Sequence, residues 1–137
     1  LFDAHIVRPA GIYGLGRERL LTQVIDGESV QYEKRTNRIH EDDLVALLDA
    51  LLAVPEPPSL VHAVDERPAL LGDVVSFIAQ ELGVEPPPRA VPEVASGATY
   101  DGARMRAILG RLRYPSYEEG YRAIIADRRQ RPAGDAT

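Results

Sequence analysis

The chain of 137 residues contains no cysteine and no tryptophan, and only one methionine and two phenylalanines. Without cysteine it can form no disulfide, no thiolate nucleophile and no cysteine-ligated zinc site. Because aromatic residues make up only 6% of the chain, its core must be mainly aliphatic. The 45% of hydrophobic and 27% of charged residues are ordinary for one globular domain.

Basic residues are also in deficit, with 16 against 21 acidic ones and a formal net charge of -5. This balance gives no general attraction for phosphate backbones or anionic lipids, so nucleic acid and membranes are not expected as partners. The longest apolar runs, such as residues 44–54, are far shorter than the ~20 residues that span a bilayer. The start lacks signal-peptide features, and we expect a cytoplasmic protein of which this chain is a piece.

Strand-like and helix-like patterns alternate along the chain, which predicts an α/β fold with parallel strands. Short apolar runs predict buried strands at 1–9 and at 60–65, the second of which ends in an acid, Asp65. Extended pieces are predicted at 30–34 and 38–40, around a turn at 35–37. Helical periodicity predicts helices at 17–25, 41–54, 71–82, 101–109 and 117–129, with a frayed tail at 131–137. Two central strands make a poor sheet, so further strands are expected upstream of this chain.

A glycine-containing loop, Gly11-x-x-Gly14-x-Gly16, lies between the first strand and the first helix. A dinucleotide-binding fingerprint needs the order reversed, with a glycine pair two apart followed by a third three further on. The bulky residues between these glycines would also crowd a pyrophosphate. An ordinary strand-to-helix connection is therefore favoured.

A polar cluster begins at His40 and continues through Glu41, Asp42 and Asp43. Carboxylates at the start of a helix complement its dipole, which explains them better than a metal site does, and no metal is predicted. Arg38, just before this helix, has two interpretations that the sequence leaves open. Its guanidinium either binds a phosphate or carboxylate in a cleft, or pairs with Glu41 or Asp42. The stretch 114–117 is interpreted as a turn with two packing tyrosines.

Two motifs carry a resemblance to a known family. Residues 7–17 read V-R-P-A-G-I-Y-G-L-G-R, and residues 37–44 read N-R-I-H-E-D-D-L. They resemble the R-P-x-x-x-Y-G-x-G-R and R-x-I-H-V-D-D-L segments of extended short-chain dehydrogenases/reductases. The end, L-R-Y-P-S-Y-E-E-G at 112–120, is similar to that of atypical NAD-dependent epimerase/dehydratase-like proteins.

The resemblance implies the C-terminal part of a Rossmann-like extended fold, comprising the last sheet strands and a small substrate-binding lobe. The implied division is a strand with its nicotinamide-side loop at 1–11, lobe segments at 12–58, a sheet strand at 59–66, a helical lobe at 67–130 and the tail at 131–137. The implied cofactor is NAD or NADP. It would be lined, through backbone contacts, by Pro9, Ala10, Gly11 and Ile12.

The resemblance also implies a small-molecule substrate, either phosphorylated or a nucleotide sugar. Arg38 matches the arginine that reaches the substrate diphosphate in sugar-nucleotide members, and Tyr13 would be a second substrate-binding residue. Many relatives pair as dimers, which makes a homodimer an expectation too. Glu41 departs from the pattern, because the family usually has valine there.

The family's catalytic Tyr-x-x-x-Lys pair cannot lie in this chain. The only lysine is Lys34, and the residue four positions before it is Val30. The pair and the glycine fingerprint are therefore expected upstream, in a missing N-terminal half. This chain is predicted to hold no catalytic residue and to be inactive alone. The alternative is a non-catalytic regulatory or interaction module that kept the fold.

Overall fold

The computed structural model describes residues 4–131 as a mixed α/β chain of short strands and five helices. The strands are β1 (Ile6–Pro9), β2 (Gly11–Tyr13), β3 (Arg35–Thr36), β4 (Arg38–His40), β5 (Leu60–Ala63) and β6 (Ala69–Leu70). The helices are α1 (Arg19–Asp26), α2 (Glu41–Leu52), α3 (Leu71–Leu82), α4 (Ala103–Leu109) and α5 (Tyr117–Gln130). The predicted tail, apart from residue 131, and the first three residues of the predicted strand 1–9 lie outside the described residues.

Each strand pairs with one other strand, and two of the three pairs are parallel. β1 lies parallel to β5, with Arg8 opposite His62, and β2 lies parallel to β4, with Tyr13 opposite His40. β3 pairs antiparallel with β6. The prediction of parallel α/β pairing is therefore confirmed for the two pairs that lie near the sequence motifs.

Three local predictions were wrong, two of them because a distant partner determines the backbone. The glycine loop begins with a strand, β2, which pairs with β4 some 27 residues later. The predicted turn at 35–37 contains β3, whose pairing to β6 is supplemented by a hydrogen bond from Thr36 Oγ1 to the Ala69 carbonyl. The predicted extended piece at 30–34 forms only isolated bridges, at Val30 and Lys34.

The helices follow the predicted periodicity closely. α3 has the predicted bounds, and α2 ends two residues earlier than expected. α1 and α3 each end at a glycine in the left-handed conformation, Gly27 at φ 69° and Gly83 at φ 72°. Glycine adopts this conformation without a steric penalty, so both residues end their helices.

Two hydrophobic clusters support the fold. The first joins α1, α3 and α5, with Leu21, Ile78 and Ile124 almost fully buried. The second lies between the β1–β5 pair, α2 and α4, around Leu47 and Met105. No helix among residues 4–131 is long and apolar enough to cross a membrane.

Strand β1 was predicted to be buried, but Ile6 keeps 46% of its surface exposed. The reason is that β1 has only β5 as a neighbour among the described strands, so its other edge is uncovered.

Candidate functional site

Two neighbouring cavities lie on either side of the connection between β1 and β2. The strand cavity, of about 380 Å³, is lined by Arg8, Pro9, Ala10, His62 and Tyr100, among others. The cationic cavity, of about 520 Å³, begins at the next residue, Gly11. The chain therefore passes from one cavity to the other between Ala10 and Gly11.

Four positively charged side chains line the cationic cavity, namely Arg17, Arg19, Lys34 and Arg38. No carboxylate lines it among the described residues. Arg17 is partly neutralised by Glu41, at 3.8 Å and on the exposed surface. The remaining polar lining residues carry hydroxyl or amide groups, so the cavity is suited to an anionic, hydrogen-bonding ligand.

Arg38 is the buried member of this group, with 5% of its surface exposed. It begins β4 opposite Gly11, and its Nη2 donates a hydrogen bond to Thr36 Oγ1. Its guanidinium carbon lies 5.5 Å from the centroid of the Tyr117 ring. Nη1 is buried without a hydrogen-bond partner, and no carboxylate within the described chain lies within 4.0 Å. A permanently charged donor group is thus left with unused capacity beside a cavity.

This geometry bears on one of the two interpretations of Arg38, the salt bridge. Neither Glu41 nor Asp42 pairs with it in the described structure. Glu41 lies beside Arg17, and Asp42 beside Arg113 at 3.5 Å. The salt-bridge alternative is therefore not what the fold contains.

Asp65 follows the end of β5 and lies beside the start of β4. Its backbone N–H donates to the Arg38 carbonyl at 2.8 Å, and its Oδ1 accepts the Arg67 N–H at 3.0 Å. The residue is 2% exposed, and Oδ2 has no hydrogen-bond partner. Burial raises the pKa of this carboxyl to about 7, against the lowering effects of the Arg67 amide and the Arg38 charge.

Tyr13 closes the cationic cavity beneath Arg38. Its ring stacks on Tyr121 at 4.7 Å and meets His40 edge-on at 5.2 Å. A side chain at Gly120 would overlap the phenol, because an added Cβ would lie 1.9 Å from Tyr13 Oη. Burial raises the pKa of Tyr13 far above its usual range, so the phenol stays protonated and is no general base at neutral pH.

His40 and Asp43 have structural roles. The His40 Nδ1 accepts the Asp42 N–H at 3.1 Å and caps α2, and its ring stacks on Tyr114 at 3.9 Å. Burial lowers the pKa of His40, which favours the neutral form that such a cap requires. Asp43 accepts the backbone N–H groups of Arg113 and Tyr114 at 2.8 and 2.9 Å. Within residues 4–131 no group of three or more ligating side chains could hold a metal ion.

The residues predicted for the cofactor divide between the two cavities. Pro9 and Ala10 line the strand cavity, whereas Gly11 and Ile12 line the cationic cavity. Ile12 also packs against the second hydrophobic cluster. The residues predicted for the substrate, Arg38 and Tyr13, lie together in the cationic cavity.

Several lining residues were missed by sequence reasoning. Lys34 and Arg19 were given no role, although both line the cationic cavity. Tyr100, on the wall of the strand cavity, stacks on His62 at 5.2 Å, and its N–H donates to Asn37 Oδ1 at 2.9 Å. Only their positions in three dimensions bring them to these sites.

Solved structures similar to this chain share its fold over about half of their length. A protein from Methylobacillus flagellatus assigned to the NAD-dependent epimerases/dehydratases has a TM-score of 0.76 and 31% identity, over 92% of this chain and 48% of its own. A conserved protein of unknown function from Silicibacter pomeroyi DSS has a TM-score of 0.75 and 28% identity, over 92% and 50%. MoeE5, in complex with UDP-glucuronic acid and NAD, has a TM-score of 0.67 and 23% identity, over 91% and 47%. No protein-family model and no curated protein matches the chain.

The fold is thus the α/β part of a Rossmann-like protein. More specifically, its structural neighbours are NAD-dependent epimerases/dehydratases, and the chain spans about half of their length. This confirms the resemblance predicted from the two sequence motifs, and the length is consistent with a C-terminal portion.

Proposed function

We propose that this chain is the substrate-binding half of an NAD(P)-dependent oxidoreductase or epimerase of the extended short-chain type. Its role is to bind an anionic small molecule in the cationic cavity, next to a nicotinamide. The observation that carries this proposal is buried Arg38, whose Nη1 has no partner beside a cavity lined by three more cations and no carboxylate. A phosphorylated substrate or a nucleotide sugar has the required charge.

The strand cavity would receive the nicotinamide end of the cofactor, which supplies hydride transfer when bound. Around Pro9 and Ala10 the chain offers apolar side chains rather than free donors. Pro9 has no N–H, and the amides of Ala10 and Gly11 already donate to the carbonyls of Ala63 and Asn37. These residues suit a planar ring, but they do not suit a pyrophosphate, which is expected to bind the missing half.

The missing N-terminal half would cover the uncovered edge of β1. Next to that edge is an apolar groove of about 430 Å³, lined by Ile6, Leu48, Leu51 and Val61, among others. Leu52, also on its wall, is 88% exposed. In this proposal β1 and β5 belong to the main sheet, the other segments build the substrate lobe, and the upstream half supplies the Tyr-x-x-x-Lys pair. The cytoplasmic location and the homodimer stay predictions.

The anion site is tested by titrating the full-length protein with inorganic sulfate, then with uridine diphosphate, by calorimetry. Arg38→Ala should weaken binding at least about tenfold, since it removes a charged hydrogen-bond donor. In the full-length enzyme the same change should raise KM for a phosphorylated or carboxylated substrate. Arg122→Ala is the matched control, because Arg122 is exposed and pairs with Glu81 away from the cavity. Equal affinities for Arg38→Ala and the unaltered chain would refute the proposal.

The alternative, a non-catalytic module, differs from the enzyme in what lies upstream. The intact mass of the natural polypeptide, with the sequence that precedes Leu1, tests this directly. A larger polypeptide with a glycine fingerprint and Tyr-x-x-x-Lys supports the enzyme. Their absence supports a module that binds the same anion without turnover.

A further inference from the structure

Arg38 and Asp65 are buried residues with ionisable groups of opposite sign, and their backbones are hydrogen-bonded, yet their side chains form no ion pair. Arg38 Nη1 and Asp65 Oδ2 are both buried and both lack a hydrogen-bond partner. A backbone hydrogen bond of 2.8 Å from the Asp65 N–H to the Arg38 carbonyl joins their residues, yet the two charged groups lie more than 4.0 Å apart. A buried charge without a partner is unfavourable, so this arrangement needs a reason.

The other buried acidic residue among the described residues does not have this property. Asp43 is equally buried, but its two carboxylate oxygens accept the N–H groups of Arg113 and Tyr114. Both of its oxygens therefore have hydrogen-bond donors. Asp65 has one such hydrogen bond, from the Arg67 amide, and its second oxygen has none. Asp65 is therefore the carboxyl whose charge state can respond to what binds Arg38.

We propose that Asp65 is the titratable counter-ion of Arg38, and that its protonation sets how strongly the cationic cavity holds an anion. When Asp65 is ionised, its negative charge partly neutralises the positive charge of Arg38 and repels an incoming anion. When Asp65 is protonated, the full field of Arg38 faces the cavity. Asp65 is thus a positioning residue that does not touch the ligand, and the inference rests on the proposed anion-binding function.

Among Asp65 and the groups that face it, Asp65 is the one that we expect to change its protonation state near neutral pH. The groups that face it are Arg38 from β4, Tyr13 from β2, Asp43 from α2 and Glu66 next in the chain. The phenol of Tyr13 stays protonated, and guanidinium does not lose its proton in proteins. Burial already places the pKa of Asp65 near neutrality, at about 7. Binding of an anion would raise it further, so binding takes up a proton and weakens as the pH rises.

The test uses the full-length protein and sulfate as the ligand, because sulfate remains a dianion throughout the range used and so contributes no titration of its own. The affinity of the unaltered chain should fall between about threefold and tenfold from pH 6 to pH 8.5, since one unit of pKa coupling corresponds to a factor of ten. Calorimetry in two buffers of different ionisation enthalpy should show uptake of a fraction of one proton per sulfate at pH 7. This measurement needs no variant.

Asp65→Asn keeps the acceptor for the Arg67 amide but cannot ionise. It should bind sulfate at pH 8.5 as tightly as the unaltered chain does at pH 6, with no pH dependence and no proton uptake. Glu66→Gln is the matched control, because it removes an exposed carboxylate one residue away and should keep the pH dependence.

Each outcome is decisive. The same pH dependence in Asp65→Asn and in the unaltered chain, or no proton uptake, would overturn the role of Asp65 while leaving the anion site intact. No sulfate binding at any pH would instead overturn the proposed anion site, and this inference with it. A pH dependence of sulfate affinity that is lost both in Asp65→Asn and in Arg38→Ala, but kept in Glu66→Gln, would establish that Asp65 and Arg38 are coupled.

Discussion

Replacing Asp65 by asparagine should change the pH dependence of stability in a direction that the structure determines. Burial raises the folded-state pKa of Asp65 to about 7 from its ordinary value of 3.8. A raised folded-state pKa means that the unfolded chain releases this proton first as the pH increases. The contribution of Asp65 to stability is therefore complete below pH 3.8 and is lost as the pH rises towards and through 7.

The magnitude follows from these two pKa values. Ionisation of Asp65 favours the unfolded state by about 1.5 kcal/mol at pH 5 and about 4 kcal/mol at pH 8. Asp65→Asn should therefore gain about 2.5 kcal/mol relative to the unaltered chain between these pH values. Other titrating groups cancel in this difference because they are common to both proteins.

Urea unfolding of the two chains at pH 5, 6, 7 and 8, followed by circular dichroism, measures the difference directly. Glu66→Gln serves as the control, and its difference from the unaltered chain should vary much less with pH than that of Asp65→Asn. A constant difference between Asp65→Asn and the unaltered chain would show that Asp65 titrates normally in the fold. The account of a buried, unpaired carboxyl would then be wrong.

Two further substitutions test the packing around the site. Gly120→Ala should destabilise the chain by about 1–3 kcal/mol, because the new Cβ overlaps the Tyr13 phenol, although alanine is normally favoured within a helix. The loss should be smaller in a Tyr13→Phe background, and equal or greater stability of Gly120→Ala would contradict the overlap. Asp43→Ala should cost about 3 kcal/mol in urea unfolding, because two backbone donors lose a charged acceptor. Asp42→Ala, at a half-exposed neighbouring carboxylate, should cost less than about 1 kcal/mol, and equal losses would refute the role of Asp43.

The elements that could be predicted from the sequence are those determined by their own periodicity. α3 has the predicted bounds because its apolar residues recur on one face and Gly83 ends it. β2 and β3 could not be predicted in this way. Each is two or three residues long, and only pairing with β4 or β6, distant in sequence, makes it a strand.

The residues of the candidate site also fall into two groups, those that the sequence motifs indicated and those that only the fold brings to the site. Arg38 and Tyr13 could be proposed from the motifs because each occupies a motif position. Asp65 stood out in the sequence only as an acid at the end of a strand. Asp65 comes close to Arg38 only because the end of β5 lies beside the start of β4, and no local sequence pattern predicts this arrangement. Lys34 reaches the cavity for the same reason, through the loop that precedes β3.

The spacing within the second motif has a physical explanation. In strand β4 alternate side chains share a face, so Arg38 and His40 both face the tyrosines, whereas Ile39 enters the second hydrophobic cluster. Helix α2 begins at the next residue, so the same His40 ring can cap it. Asp43, within the first turn, reaches the backbone of Arg113 and Tyr114. Insertion of one residue before His40 would therefore exchange the faces of Arg38 and Ile39. It would place a guanidinium in the second hydrophobic cluster, and it should cost both ligand binding and stability.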